Sequence, residues 1–262
     1  MKPLFRFWFV LGLFSFFARA QNSFDGTWKL DLNSRQATGN PDAYLLQNGT
    51  YHCTTCNPPL EIPADGRDHK IAGDLCYDTF GIKVIDEHTI EETYKRNAKI
   101  VGTSKMTVSS DSRTATLEWS ESCNANDESS TGKDVLTRLT EGPVGSHAIS
   151  GSWAVSKRVN LSENALLITL KLTADTFSFA DPTGQNYTAK LDGTETSFQG
   201  DLSHTIVSVK RLNDTAIEES DKHDGKITEV TRFTLSSDGK SMTIYMENKL
   251  KGGTRQFVAH KQ

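Results

Sequence analysis

The chain has no basic surplus. Its 29 lysines and arginines are outnumbered by 33 aspartates and glutamates, for a formal charge of −4. Nucleic acid and anionic membrane surfaces both attract basic patches, so this balance argues against either as a partner. It also has no apolar run long enough to span a bilayer, which takes roughly 20 residues; the longest run, from Phe7 to Phe17, falls short. No window carries an apolar stripe at the 3.6-residue helical period, so little helix is expected beyond a turn or two. There is no Ser/His/Asp spacing, no Gly-rich phosphate loop and no His-Glu-x-x-His segment. The seven histidines, His52, His69, His88, His147, His204, His223 and His260, are scattered. No enzymatic activity and no cofactor are therefore expected. Cysteine is sparse too: Cys53, Cys56, Cys76 and Cys123 all lie in the first half.

What is present begins with an export signal. Lys2 and Arg6 precede the apolar run, and Ala18-Arg19-Ala20 closes it. A basic start, an apolar core of about ten residues and an Ala-x-Ala end describe a cleavable signal peptide. Cleavage is expected after Ala20, giving a secreted or periplasmic protein that does not span the membrane. No Cys follows Ala20, which argues against lipid attachment there. The mature chain keeps 26 basic and 33 acidic residues.

The chain repeats itself, the feature to seek first. Ile90 to Glu118 aligns without a gap on Ile217 to Tyr245, an offset of 127, with 11 of 29 positions identical. Gly26-Thr27-Trp28 recurs as Gly151-Ser152-Trp153, an offset of 125. Leu60, Ile62 and Ala64-Asp65 resemble Phe177, Phe179 and Ala180-Asp181, offset 117 to 116. The changing offsets place an insertion before Leu60 in copy one and another between Phe179 and Val209 in copy two. The punctuating composition Glu141-Gly142-Pro143-Val144-Gly145-Ser146 sets the boundary. Copy one is expected at 21–142 and copy two at 143–262.

Within each copy the apolar period is two, the mark of strands with one wet face. Ala115, Leu117 and Trp119 share a face, as do Met242, Ile244 and Met246. Ile100, Met106 and Val108 share another, matched by Ile227, Phe233 and Leu235. Asp224-Gly225 and Asp238-Gly239 read as two-residue hairpin turns, and Asn97-Ala98 and Asp111-Ser112 stand at the same points of copy one. About eight strands per copy are expected. Closure into an antiparallel up-and-down β-barrel leaves no open sheet edge; the alternative is two β-sandwiches.

Gly-x-Trp on a first strand, followed by meander strands, resembles the lipocalin-like (calycin) family. The resemblance implies that each Trp closes a barrel base and packs on a basic residue near the last strand. Gly26 and Trp28 would then sit with Arg138, and Gly151 and Trp153 with Lys261 or Arg255. The family's Thr-Asp-Tyr-type loop motif and C-terminal helix are absent from the sequence. The whole chain also resembles duplicated proteins exported by bacteria.

Four cysteines in an oxidising compartment suggest two disulfides, with three possible pairings. Cys76 shares parity with Phe80 and Ile82, and Cys123 with Leu117 and Trp119, which makes Cys76–Cys123 plausible. Cys53-x-x-Cys56 then forms a structural bridge. A metal or redox site there would recruit Cys76, His69 or Cys123. Glu92 and Glu219 share the parity of Ile90 and Ile217 and so enter the interior, to pair with Arg or Lys. Asn48, Asn160, Asn186 and Asn213 head glycosylation sequons.

The expected function is binding of a small apolar or amphipathic ligand, in a barrel or in the groove between the two. The first alternative is a structural or interaction protein of the cell envelope. The second is a thiol-redox or metal-binding protein acting through Cys53 and Cys56.

Overall fold

The computed structural model describes residues 24–56, 58–72 and 76–262. The expected signal peptide, residues 1–20, lies outside the described residues. Copy one carries β1 (Gly26–Thr38), β2 (Asp42–Gln47), β3 (Thr50–Cys53), β4 (Leu60–Pro63), β5 (His69–Lys70), β6 (Thr79–Asp86), β7 (Thr89–Arg96), β8 (Lys99–Val108), β9 (Thr114–Glu121) and β10 (Ser130–Glu141). Copy two carries β11 (Gly151–Val159), β12 (Leu167–Leu172), β13 (Thr176–Ala180), β14 (Asn186–Lys190), β15 (Asp192–Ser197), β16 (Ile206–Asn213), β17 (Ala216–His223), β18 (Lys226–Leu235), β19 (Ser241–Asn248) and β20 (Thr254–Lys261). Among the described residues the only helical element is a 3-10 turn, Glu163–Ala165.

The strands form two antiparallel sheets of ten, each curled into a nearly closed barrel. The count exceeds the expected eight because short strands such as β5 extend each edge. Each sheet is one continuous ladder, which a sandwich is not. A bridge from Asp65 to Lys83 draws the edges of one sheet together, and a bridge from Asn186 to Gln199 does so in the other.

The first strands have exchanged places. β1 pairs with β12 and β20, whereas β11 pairs with β10 and β2. Barrel one is therefore the unbroken stretch Asp42–Val159, and barrel two is β1 together with β12–β20. The boundary expected at 142/143 marks the repeat in sequence, but the sheets cross it. β11 follows β10 through residues 142–150 and folds straight back on it. That pairing closes barrel one with its neighbouring strand and leaves β1 to fill the equivalent gap in barrel two. Barrel one is in effect inserted after the first strand of barrel two.

Equivalent sheet positions correct the alignment of the copies. Tyr44, opposite Gly151, corresponds to Leu170, opposite Gly26. Leu60, opposite Cys53, corresponds to Tyr187, opposite Phe179. The copies run nearly in step, without the two expected insertions. Short apolar-x-apolar patterns look alike in any strand, so Leu60 and Phe177 resemble each other without being equivalent.

Bulges explain a second departure. Ile100 and Ile227, expected to share the inward face of Met106 and Phe233, are 53% and 43% exposed. The register of β7 on β8 shifts between Tyr94 and Lys95, and that of β17 on β18 between Asp221 and Lys222. One extra residue reverses the alternation, so Val101 is buried where Ile100 was expected. The turns hold more closely. Asn97-Ala98 and Asp224-Gly225 each have two positive φ values, as type I′ requires. The Asp111-Ser112 and Asp238-Gly239 turns have only one each. There the carboxylate of Asp111 or Asp238 instead accepts from Ser109 or Ser236 and from a backbone N–H two residues on.

The insertion predicts unequal fragments. A chain cut to 40–160 should fold as a monomer with a cooperative thermal transition. A chain cut to 161–262 lacks both first strands, so β12 and β20 each keep one bare edge; it should aggregate unless a peptide of residues 24–38 is added. Circular dichroism and size-exclusion chromatography of the two fragments would check this.

Candidate functional site

Each barrel has a plugged base and an opposite end where the copies differ. At the base of barrel one, Trp153 is 1% exposed and lies under the Arg138 guanidinium, 4.1 Å from the ring centre. At the base of barrel two, Trp28 is fully buried and Lys261 stands 5.4 Å above its ring. These partners are crossed relative to expectation, because the Trp-bearing strands are exchanged while β10 and β20 stay in their own barrels. Both indole N–H groups donate to the carbonyl four residues upstream, Phe24 or Ile149, at 2.8 Å. Arg138 also donates to the carbonyls of Ser112, Ala148 and Ser150. Gly151 has φ +124° and a Cβ there would lie 2.2 Å from the Thr140 carbonyl; Gly26 has φ +131° beside Lys261. These six residues brace the barrel bases.

The opposite end of barrel one is hollow. A partly enclosed cavity of about 270 Å³ lies between the sheet walls. Its apolar lining comes from Leu60, Phe80, Ile90, Met106, Leu117 and Trp119. Four of the chain's six tyrosines, Tyr44, Tyr51, Tyr77 and Tyr94, also face it. Tyr94 packs at 4.8 Å between ring centres against both Phe80 and Tyr77. Trp119 reaches its place because β10 carries Gly132 opposite, where a Cβ would come within 2.5 Å of the indole.

One carboxylate organises the polar side. Glu92 accepts from Tyr94 at 2.6 Å, from Tyr51 at 3.4 Å and from the Ser104 hydroxyl. Parity correctly places Glu92 and Glu219 inside, but their partners are hydroxyls rather than the expected Arg or Lys. Burial, and then the charge of Glu92, hold the Tyr51 and Tyr94 phenols well above their ordinary pKa, so they remain donors. The neighbours Glu91 and Glu218 face outward to Lys105 and Arg232.

At matching positions barrel two is filled. Tyr94, Gly102, Trp119 and Gly132 are replaced by Asp221, Glu229, Met246 and Arg255. Arg255 pairs with Glu229, and Phe179, Tyr187 and Phe198 pack together with ring centres 5.4–5.7 Å apart. Tyr187 donates to Glu219, which is 7% exposed. Burial, then the charge of Asp221, pushes Glu219 well above the carboxylate range. Burial, then the charge of Glu229, raises Asp221 to about 7. Oδ1 of Asp221 is buried with no hydrogen-bond partner among the described residues.

Both expected disulfides, Cys53–Cys56 and Cys76–Cys123, are present and leave no free thiol among the described residues. Cys56, Cys76 and Cys123 border the cavity. Among the described residues no three His, Cys, Asp or Glu side chains converge as a metal site. Barrel two leans on the same end: Ala125 N–H donates to the Gly200 carbonyl, Arg96 to that of Leu202, and Gln185 to that of Cys123. Alternation in the sequence marks Tyr51 and Trp119 as inward but does not single out Tyr44, Tyr77 or Tyr94, although four of six tyrosines falling in copy one is a usable signal.

The fold and cavity define a tandem antiparallel β-barrel protein with one hollow and one filled barrel. No known protein family matches the chain, and no curated protein matches it. Among the described residues no helix is long and apolar enough to cross a membrane.

Two measurements follow from these features. Replacing Cys76 and Cys123 by Ser removes a link across 47 residues and should cost about 2–4 kcal/mol in a denaturant titration. The Glu219–Asp221 pair binds protons in the folded chain that the unfolded chain releases. Stability should therefore fall as pH rises from about 4 to about 7. Asp221→Asn should raise Tm at pH 8 and leave it nearly unchanged at pH 4.

Proposed function

We propose that this protein binds a small, largely apolar ligand in the hollow end of barrel one, in the manner of lipocalin-like (calycin) barrels. The observation that carries this reading is the cavity of about 270 Å³ among aromatic and aliphatic side chains, at positions where barrel two carries the Arg255–Glu229 ion pair and three packed rings. Ligand pockets run from about 300 to 1,000 Å³, so the volume suits a compact ligand rather than a long acyl chain. Apolar lining supplies the affinity, and Glu92 with its hydroxyls supplies orientation. Barrel two acts as a support, its 199–205 loop lying against the cavity end. The two disulfides suit an oxidising compartment, in keeping with a signal peptide ending at Ala20 and a secreted or periplasmic location.

Leu117 lines the cavity and is half-buried. Leu117→Trp should fill the space and weaken binding of an apolar fluorescent probe at least tenfold, about 1.4 kcal/mol, with Tm little changed. Probe titration of the parent and variant checks this; a parent that binds no apolar probe at micromolar concentration overturns the proposal.

A further inference from the structure

We infer that the cavity of barrel one selects an organic ammonium ion, a protonated amine on a compact apolar body, over neutral or anionic ligands of the same shape. This rests on the binding role proposed above and specifies its chemistry. The first observation is the charge inventory of the wall. Among the described residues the cavity is lined by no lysine, arginine or histidine, and its only charged side chains are Glu92 and Glu121. An anionic head group placed beside Glu92 would meet a carboxylate and no lining cation.

The second observation is what surrounds those acids. Cations nearby are engaged elsewhere. Arg158 forks onto Asp134 at 2.7 and 2.9 Å and stands 5.8 Å from the Trp119 ring centre, on the side of Glu121 rather than Glu92; Arg96 donates to the Cys76 and Leu202 carbonyls, and Lys95 pairs with Asp68 at 2.6 Å. Glu92 is arranged to accept. Its Oε2 takes the Tyr94 and Ser104 hydroxyls, while Oε1 takes only the long 3.4 Å contact from Tyr51. A carboxylate has about four acceptor sites, so Oε1 has room for an N–H donor.

The third observation is the aromatic enclosure. The faces and edges of Tyr77, Phe80 and Tyr94, each pair within 6.1 Å between ring centres, stand on the side of the cavity that holds Glu92. Ring faces attract cations, and aromatic walls around a carboxylate are a recurrent means of holding an ammonium group. The aliphatic part of the ligand would lie against Ile90, Met106 and Leu117.

The test is a matched series on the full chain: cyclohexylmethylamine, cyclohexylmethanol and cyclohexanecarboxylate at pH 7, followed by calorimetry and by tryptophan fluorescence. The amine should bind at least tenfold tighter than the alcohol and a hundredfold tighter than the carboxylate. Glu92→Gln should remove the preference for amine over alcohol without weakening the alcohol, and Glu118→Gln, an outward residue paired with Lys133, should change nothing. If the alcohol or the carboxylate matches the amine in the unaltered protein, the cation assignment falls while ligand binding stands. If none of the three binds, both readings fall. The series needs no variant, so a misfolded Glu92→Gln chain leaves the outcome decisive.

Discussion

The structure depends on one requirement, that every curled sheet find a partner for its last open edge. Unpaired strand edges expose rows of N–H and C=O groups that recruit other chains. A duplicated barrel has two such edges and two interchangeable first strands. Nothing in Gly26-Thr27-Trp28 or Gly151-Ser152-Trp153 binds either strand to its own copy, because each carries the same glycine, the same Trp plug and a matching cation on the receiving side. The exchanged arrangement then couples the barrels, with residues 39–41 and 160–166 carrying the chain between them.

With both bases braced alike, divergence is confined to the other end. Barrel one places aromatic rings beside glycines there and keeps a void. Barrel two places an ion pair, two interacting acids and three packed rings. Duplication allows this division, since one copy can carry the structural burden while the other gives up packing for space.

Much of the architecture was legible because period-two alternation is imposed by the pleat and cannot be disguised. Class, repeat, the two disulfides and the inward facing of Glu92 and Glu219 follow from it directly. Three features were not legible. The strand exchange leaves no mark in sequence, because β1 and β11 satisfy the same positions. The exposure of Ile100 and Ile227 depends on bulges, which residue alternation does not register. The cavity is the absence of side-chain volume at the open end, and depends on how Trp119 lies across Gly132 rather than on any motif.

The placement of β1 also bears on the order in which the chain can assemble. Barrel one is complete once Val159 has been made, whereas β1, synthesised long before, has no partner until Leu167 and no second partner until Thr254 onward. Trp28 pairs with Lys261, so one of the earliest ordered segments is among the last to be seated, and closing so long a loop is slow. The far half of the strand, Asn33-Ser34-Arg35-Gln36, is polar, which suits a segment that must wait in water without recruiting a wrong neighbour.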